Sequence, residues 1–429
     1  MENVGSGASR PRIGLVLSGG GARGAYEVGV LSWVLDELPR RLGHPLRLDV
    51  VTGTSVGAIH ACYVAATMGS EGAGGRLADV WSNLDVGGVY QLGLVDVVRL
   101  PWRLFGLGAA IPKGDRLSGL LDTRPLERLV RETIPWNRLR DRIDGGHIDA
   151  LAIAATDIAT GKSVVWVDRR GGKLDGWARD PFVIARPTAI TPAHALASAA
   201  IPFLFPALKV DGHYFCDGGL RLNTPLAPAL RLGVDRLLVV GLRHVPTPEE
   251  EAALAPAREE SYASLTYLTG KVLNALLLDH IDYDVDRLQL VNAILDTGVR
   301  AYGPEFLPRI NETIRALRGT PYRIVRNLYL QPSRDLGVMA SECLRHQRRA
   351  RGIRDWLSDA VVRYAVHGVV EEADLLSYLF FDRCYATHLI ALGRADAAAR
   401  GDELLALFAD DQSVVDGSDP TGGYPSGRT

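Results

Sequence analysis

The sequence predicts an α/β protein with a largely parallel sheet, and three observations lead there. Residues 13–18 (IGLVLS) form a short apolar run bounded by glycines, as a buried strand does. A glycine loop and a helical pattern follow, and a second succession of strand, tight turn and helix occupies residues 46–68. The chain has 429 residues, 47% hydrophobic and 23% charged, enough to bury a sheet on both faces.

The elements follow in order. Val28, Leu31, Leu35 and Leu38 recur at spacings of three and four, which predicts a helix over 25–38 with one apolar face. Residues 46–52 read as a strand and 56–68 as a helix of small and apolar residues. Strands over 151–156 and 163–167 are joined by Ala159-Thr160-Gly161-Lys162. Thr191-Pro192 opens a helix, with Thr as cap and Pro at its first position, and Ile201-Pro202 ends it. Lys209-Val210, Asp211-Gly212 and residues 213–216 have the form of a hairpin with a two-residue turn, and 236–241 is another buried strand. Beyond about residue 246 come a charged stretch at 249–258, helical patterns near 260–296, 304–318, 340–366 and 383–410, and one strand at 326–330. This predicts one unit over 12–232, remaining strands and a helix-rich region over 233–409, and a disordered tail over 410–429.

A net charge of −2 gives no general attraction to nucleic acid, so that partner is not expected. The N-terminus lacks the pattern of a secretory signal, and no run of about 20 apolar residues is free of charge and proline. The expectation is a cytoplasmic protein whose contact with a membrane is peripheral. Cys62, Cys216, Cys343 and Cys384 form no CxxC pair and no zinc-type spacing with histidine, which predicts four free thiols and no metal. Asp282, Asp284 and Asp286 resemble the start of a calcium loop, but Arg287 and Ala293 stand where glycine and glutamate are required. No cofactor is expected.

Three motifs carry chemistry. Gly53-Thr54-Ser55-Val56-Gly57 lies between a strand and a helix, the context of a nucleophile elbow, with Gly53 and Gly57 letting the backbone close around Ser55. Gly19, Gly20, Gly21, Ala22, Arg23 and Gly24 also follow a strand. They match a dinucleotide fingerprint, but Asp49 lies before the end of the next strand rather than at it, which weakens that reading. The other use of such a loop is an oxyanion hole, where bare N–H groups meet the developing charge. The third motif is Asp217-Gly218-Gly219, an acid at a strand end beside open backbone. The base for Ser55 stays open on residues alone. A histidine is usual; His60, His194 and His213 sit in no motif that marks them, and Asp217 is the alternative.

The three motifs in this order resemble the patatin-like phospholipase family, whose pattern is a GGGxRG loop, a GxSxG elbow and a DGG or DGA aspartate. Residues 197–202 (ASAAIP), Asn223 and Pro225 add to the likeness, which is specific over about 12–232 and looser over YLFFDRCYATHLIALGRADA in the helical C-terminal part. The resemblance implies a three-layer α/β/α sandwich of the patatin and cytosolic phospholipase A2 type. It also implies a Ser55–Asp217 dyad, an acyl-enzyme intermediate, an oxyanion hole around Gly20 and Gly21, a lipid substrate met at a membrane surface, and no metal.

Other readings remain beside the hydrolase. One is an acyltransferase using the same dyad, another a nucleotide-binding protein, another a catalytically silent lipid-binding scaffold. Residues 89–112 mix Tyr90, Trp102, Phe105 and several leucines with Arg99 and Arg103, a composition suited either to ordinary core packing or to a lid or membrane-contacting segment.

Overall fold

The structure is a computed structural model that describes residues 10–92, 116, 119, 121–174, 177, 183–261, 281–350 and 374–409. The predicted tail, and residues 93–112 of the segment read either as core or as a lid, lie outside them. Among the described residues nine strands form one sheet. They are β1 (Ile13–Leu17), β2 (Val50–Thr54), β3 (Ala150–Asp157), β4 (Ser163–Arg169), β5 (Val183–Pro187), β6 (Leu208–Val210), β7 (His213–Asp217), β8 (Arg236–Val240) and β9 (Arg326–Leu330).

The main order is β9-β8-β1-β2-β3-β4-β5, with the first five mutually parallel. β4 returns antiparallel to β3 through the predicted turn, and β5 runs parallel to β4. β6 and β7 form the predicted hairpin, with Asp211 and Gly212 both at positive φ, 48° and 84°.

The central strands are buried on both faces, which is why they read as continuous apolar runs. Leu15, Leu17, Val51 and Ile153 belong to one core, and Val16, Val50, Ala152 and Ala154 to the other, alternating with the pleat. Helices α1 (Gly24–Ser32), α2 (Val56–Thr67) and α3 (Ala73–Ser82) share the first core. Leu226, Ala229, Val285 and Leu288, on helices Leu226–Arg231 and Ile281–Tyr302, share the second. The result is the three-layer α/β/α sandwich with a mostly parallel sheet.

The first helix is longer than predicted. It continues beyond α1 through a π-turn at Trp33–Glu37 and a last stretch at Leu38–Leu42. The region after residue 232 supplies β8 and β9 to the same sheet. Four of its helices matter below: α5 (Leu336–Ala350), α6 (Asp374–Leu379), α7 (Arg383–Ala399) and α8 (Gly401–Phe408), numbered after α4 (Pro192–Ser198). α7 lies along α1, where Tyr26 donates to Asp396 at 3.0 Å.

Candidate active site

The sheet register brings two distant residues together. Thr54, the last residue of β2, pairs with Ala154 of β3, and Asp217, the last residue of β7, pairs with Ala155. β2 runs parallel to β3 and β7 antiparallel, so the two strands meet end to end along one edge of β3. Ser55, the next residue after β2, therefore faces Asp217. Ser55 Oγ donates to Asp217 Oδ2 at 2.5 Å.

Ser55 occupies a backbone conformation that side chains avoid, φ 56° and ψ −126°, between β2 and α2. The sharp turn demands glycine beside it: a Cβ on Gly53 would lie 2.1 Å from the Gly57 carbonyl oxygen. Two further bonds fix the elbow. The Ser55 N–H donates to Ser198 Oγ at 2.9 Å, and Ser198 Oγ donates to the Ala154 carbonyl at 2.5 Å. Ser198 ends α4 among small residues, and nothing local in the sequence marks this task.

Asp217 is 1% exposed and Ser55 4%. Burial disfavours the carboxylate and pushes the Asp217 pKa up to about 6, against the pull of hydrogen bonds from Ser55 and from the Gly219 N–H at 2.7 Å. An acid with a pKa near neutrality is a far better base for a hydroxyl than an ordinary carboxylate.

The glycine loop borders the same point. A Cβ on Gly19 would lie 3.0 Å from Ser55 Cβ, and Gly20 and Gly21 line a small cavity with Ser55, Asp217, Asn223 and Tyr378. Asn223 holds the loop, its carbonyl accepting from the Gly19 N–H at 3.1 Å. Gly21 has φ +56°. Ala22 and Gly24 lie in the turn and helix start behind the loop. Arg23 points to the C-terminal region, donating to Ser377 at 2.8 Å and stacking over Tyr378 at 4.4 Å. Asp49 sits at the opposite end of the sheet, bonded to Arg10 and to the Ile13 N–H, and is not placed to hold a ribose near the loop.

The histidines are engaged elsewhere. His194 Nδ1 bonds Thr191 in the α4 cap, and His213 lies 3.4 Å from Asp157. His60 Nδ1 is 2.8 Å from Glu27 Oε2, and burial lowers the His60 pKa to about 3. Its ring makes no hydrogen bond to Ser55, but it lines the apolar cavity that opens from Ser55. Ile59, Leu77, Trp81, Leu129 and Phe381 form other parts of that wall. Tyr90, in the segment read either as core or as a lid, is buried, and its hydroxyl donates to the Leu379 carbonyl at 2.9 Å.

The expectation of four free thiols is corrected. Cys62 and Cys216 are free and buried, but Cys343 of α5 and Cys384 of α7 form a disulfide, with His388 Nδ1 3.5 Å from each sulfur. The pair is 41 residues apart, so only the packing of two helices creates it.

A family model described as patatin-like phospholipase matches residues 15–230. The chain belongs to the patatin-like phospholipase family. Relatives among known proteins include an uncharacterized NTE family protein of Mycobacterium tuberculosis H37Rv, 28% identical over 243 residues, 55% of this chain and 50% of the relative. Another is a cGAMP-activated phospholipase of Escherichia coli, 26% identical over 238 residues, 52% of this chain and 56% of the relative. This patatin-like chain thus spans about half the length of the curated relatives it matches. VipD from Legionella pneumophila aligns over 90% of this chain and 67% of its own, at 14% identity and TM-score 0.32. Human GIVD cytosolic phospholipase A2 aligns over 58% and 45%, at 12% identity and TM-score 0.32.

Proposed function

We propose that this patatin-like protein is a serine hydrolase of lipid acyl esters. Ser55 attacks the ester carbonyl as Asp217 takes its proton, and backbone amides around Gly20 and Gly21 receive the oxyanion. The alcohol leaves with that proton. Asp217 then draws a proton from water, which attacks the acyl-enzyme, and passes it to Ser55 Oγ as the fatty acid is freed. The observation that carries this reading is the 2.5 Å bond from Ser55 to a buried carboxyl group whose pKa is raised to about 6.

The apolar cavity beside Ser55 supports an acyl chain rather than a polar group as the part held by the protein. Phe203 supports access from a lipid surface: it is 86% exposed and lies between Ile201 and Phe205, both of which line that cavity. No described helix is long and apolar enough to cross a membrane. The test is fatty-acid release from mixed phospholipid vesicles and from a short-chain ester by the wild type, Ser55→Ala and Asp217→Asn. Loss by roughly 10³-fold or more in both folded variants supports the dyad. A fully active Ser55→Ala rejects it.

A further inference from the structure

We propose that Cys343, Cys384 and His388 form a thiol-exchange site that governs access to Ser55, a reading that rests on Ser55 being the nucleophile. Cys343 is buried, Cys384 half-buried and His388 exposed, so a small thiol reaches the cluster from the Cys384 side. His388 Nδ1 is 2.8 Å from the Cys384 carbonyl, which holds the ring proton on that nitrogen, 3.5 Å from both sulfurs.

The disulfide joins the two helices that flank a strap over the catalytic loop. Ser377 accepts from Arg23, and the Tyr378 carbonyl lies 2.3 Å from where a Gly21 Cβ would stand. Leu379 accepts from Tyr90, and Phe381 forms part of the acyl cavity wall. The space left among Ser55, Asp217, Gly21 and Tyr378 is about 10 Å³, about what one water fills. Tyr378 of the strap lines this space beside Gly21, apart from the larger apolar cavity that also reaches Ser55. Asp382 follows the strap directly, its side chain capping α7 through the Cys384 N–H at 2.8 Å. Bonding Cys384 to α5 therefore anchors the end of the strap to a second helix.

The exchange balances with two equivalents of a low-molecular-weight thiol. A thiolate attacks the Cys384 sulfur, the S–S bond breaks, and the electron pair leaves on the Cys343 sulfur. That thiolate takes up the proton the small thiol released on ionising, with the His388 Nδ1–H 3.5 Å away to stabilise it as it forms. A second thiolate attacks the mixed disulfide and releases Cys384 as a thiol together with the small-molecule disulfide. The freed strap then lifts from Gly21.

The experiment compares the full chain, air-oxidised and dithiothreitol-reduced, with the Cys343→Ser, Cys384→Ser double variant. Alkylation mass spectrometry counts thiols, a fluorophosphonate labels Ser55, and hydrogen–deuterium exchange follows residues 377–381. The expected result is two fewer free thiols in the oxidised protein. Labelling is at least 10-fold faster, and strap exchange faster, in both the reduced protein and the double variant. His388→Ala slows reduction but leaves labelling of the fully reduced protein unchanged. Four free thiols after oxidation, a metal ion bound by the cluster, or strap exchange equal in the two states overturns the proposal. Absence of labelling in both states, with strap exchange still redox-dependent, preserves the exchange site and instead rejects Ser55 as nucleophile.

Discussion

Glu27 and His60 form a fully buried hydrogen bond, Oε2 to Nδ1 at 2.8 Å, between the helix after the glycine loop and the helix after the elbow. Burial raises the Glu27 pKa and lowers that of His60, which makes both groups neutral. Protonated Glu27 then donates to Nδ1, while its Oε1 accepts from the Ser18 N–H at 2.7 Å, just before the loop. Gln reproduces both bonds, so Glu27→Gln is expected to change stability by less than about 1 kcal/mol. Glu27→Leu strands two buried groups and costs about 2–4 kcal/mol. Urea denaturation measures both. A loss of 3 kcal/mol or more in Glu27→Gln would show an ionised pair instead.

The raised Asp217 pKa separates activity from stability. The folded pKa of about 6 lies above the ordinary value of 3.8, so the folded state binds the proton more tightly than the unfolded chain. That contribution is fully present below about pH 4 and lost as pH rises through 6, amounting to about 3 kcal/mol. In the proposed mechanism activity needs the carboxylate and follows the opposite course, rising through pH 6. Asp217→Asn is expected to be inactive yet to melt higher than the wild type at pH 8, with the gap narrowing below pH 6 and closing near pH 4. A gap that stays constant with pH contradicts this assignment.

Ser198→Ala removes the acceptor for the Ser55 N–H and the donor to Ala154. The cost is expected at about 1–3 kcal/mol of stability. In the proposed mechanism kcat should fall with little change in KM, because Ser55 shifts while the apolar cavity stays. Unaltered kcat would show that the elbow holds its shape without Ser198.

Phe203 combines 86% exposure with φ 67°, a conformation costly for any residue but glycine. Phe203→Gly is expected to stabilise the fold by about 1 kcal/mol. The same change should weaken vesicle binding several-fold in flotation and leave short-chain ester hydrolysis intact. Undiminished flotation removes Phe203 from the lipid contact.

The legible parts of this protein are local ones. Gly53 to Gly57, the hairpin turn at Asp211-Gly212 and the buried runs of β1 and β8 each declare themselves through glycine placement or apolar continuity. What brings Ser55 to Asp217 is not local: it depends on which edge of β3 receives β2 and β7, across 162 residues of chain. The task of Ser198, the Glu27–His60 bond and the Cys343–Cys384 pair likewise exist only once helices pack. The family resemblance pointed to Ser55 and Asp217 together, and the register is what brings the two side chains within hydrogen-bond distance.

Covalent capture of Ser55 tests the central claim most directly. The reduced wild-type protein is incubated with a fluorophosphonate and digested, and the adduct is located by mass spectrometry. The account predicts one adduct per chain, on Ser55, lost in Ser55→Ala and slowed by orders of magnitude in Asp217→Asn. An adduct on another serine, or labelling of Ser55→Ala at the wild-type rate, contradicts it.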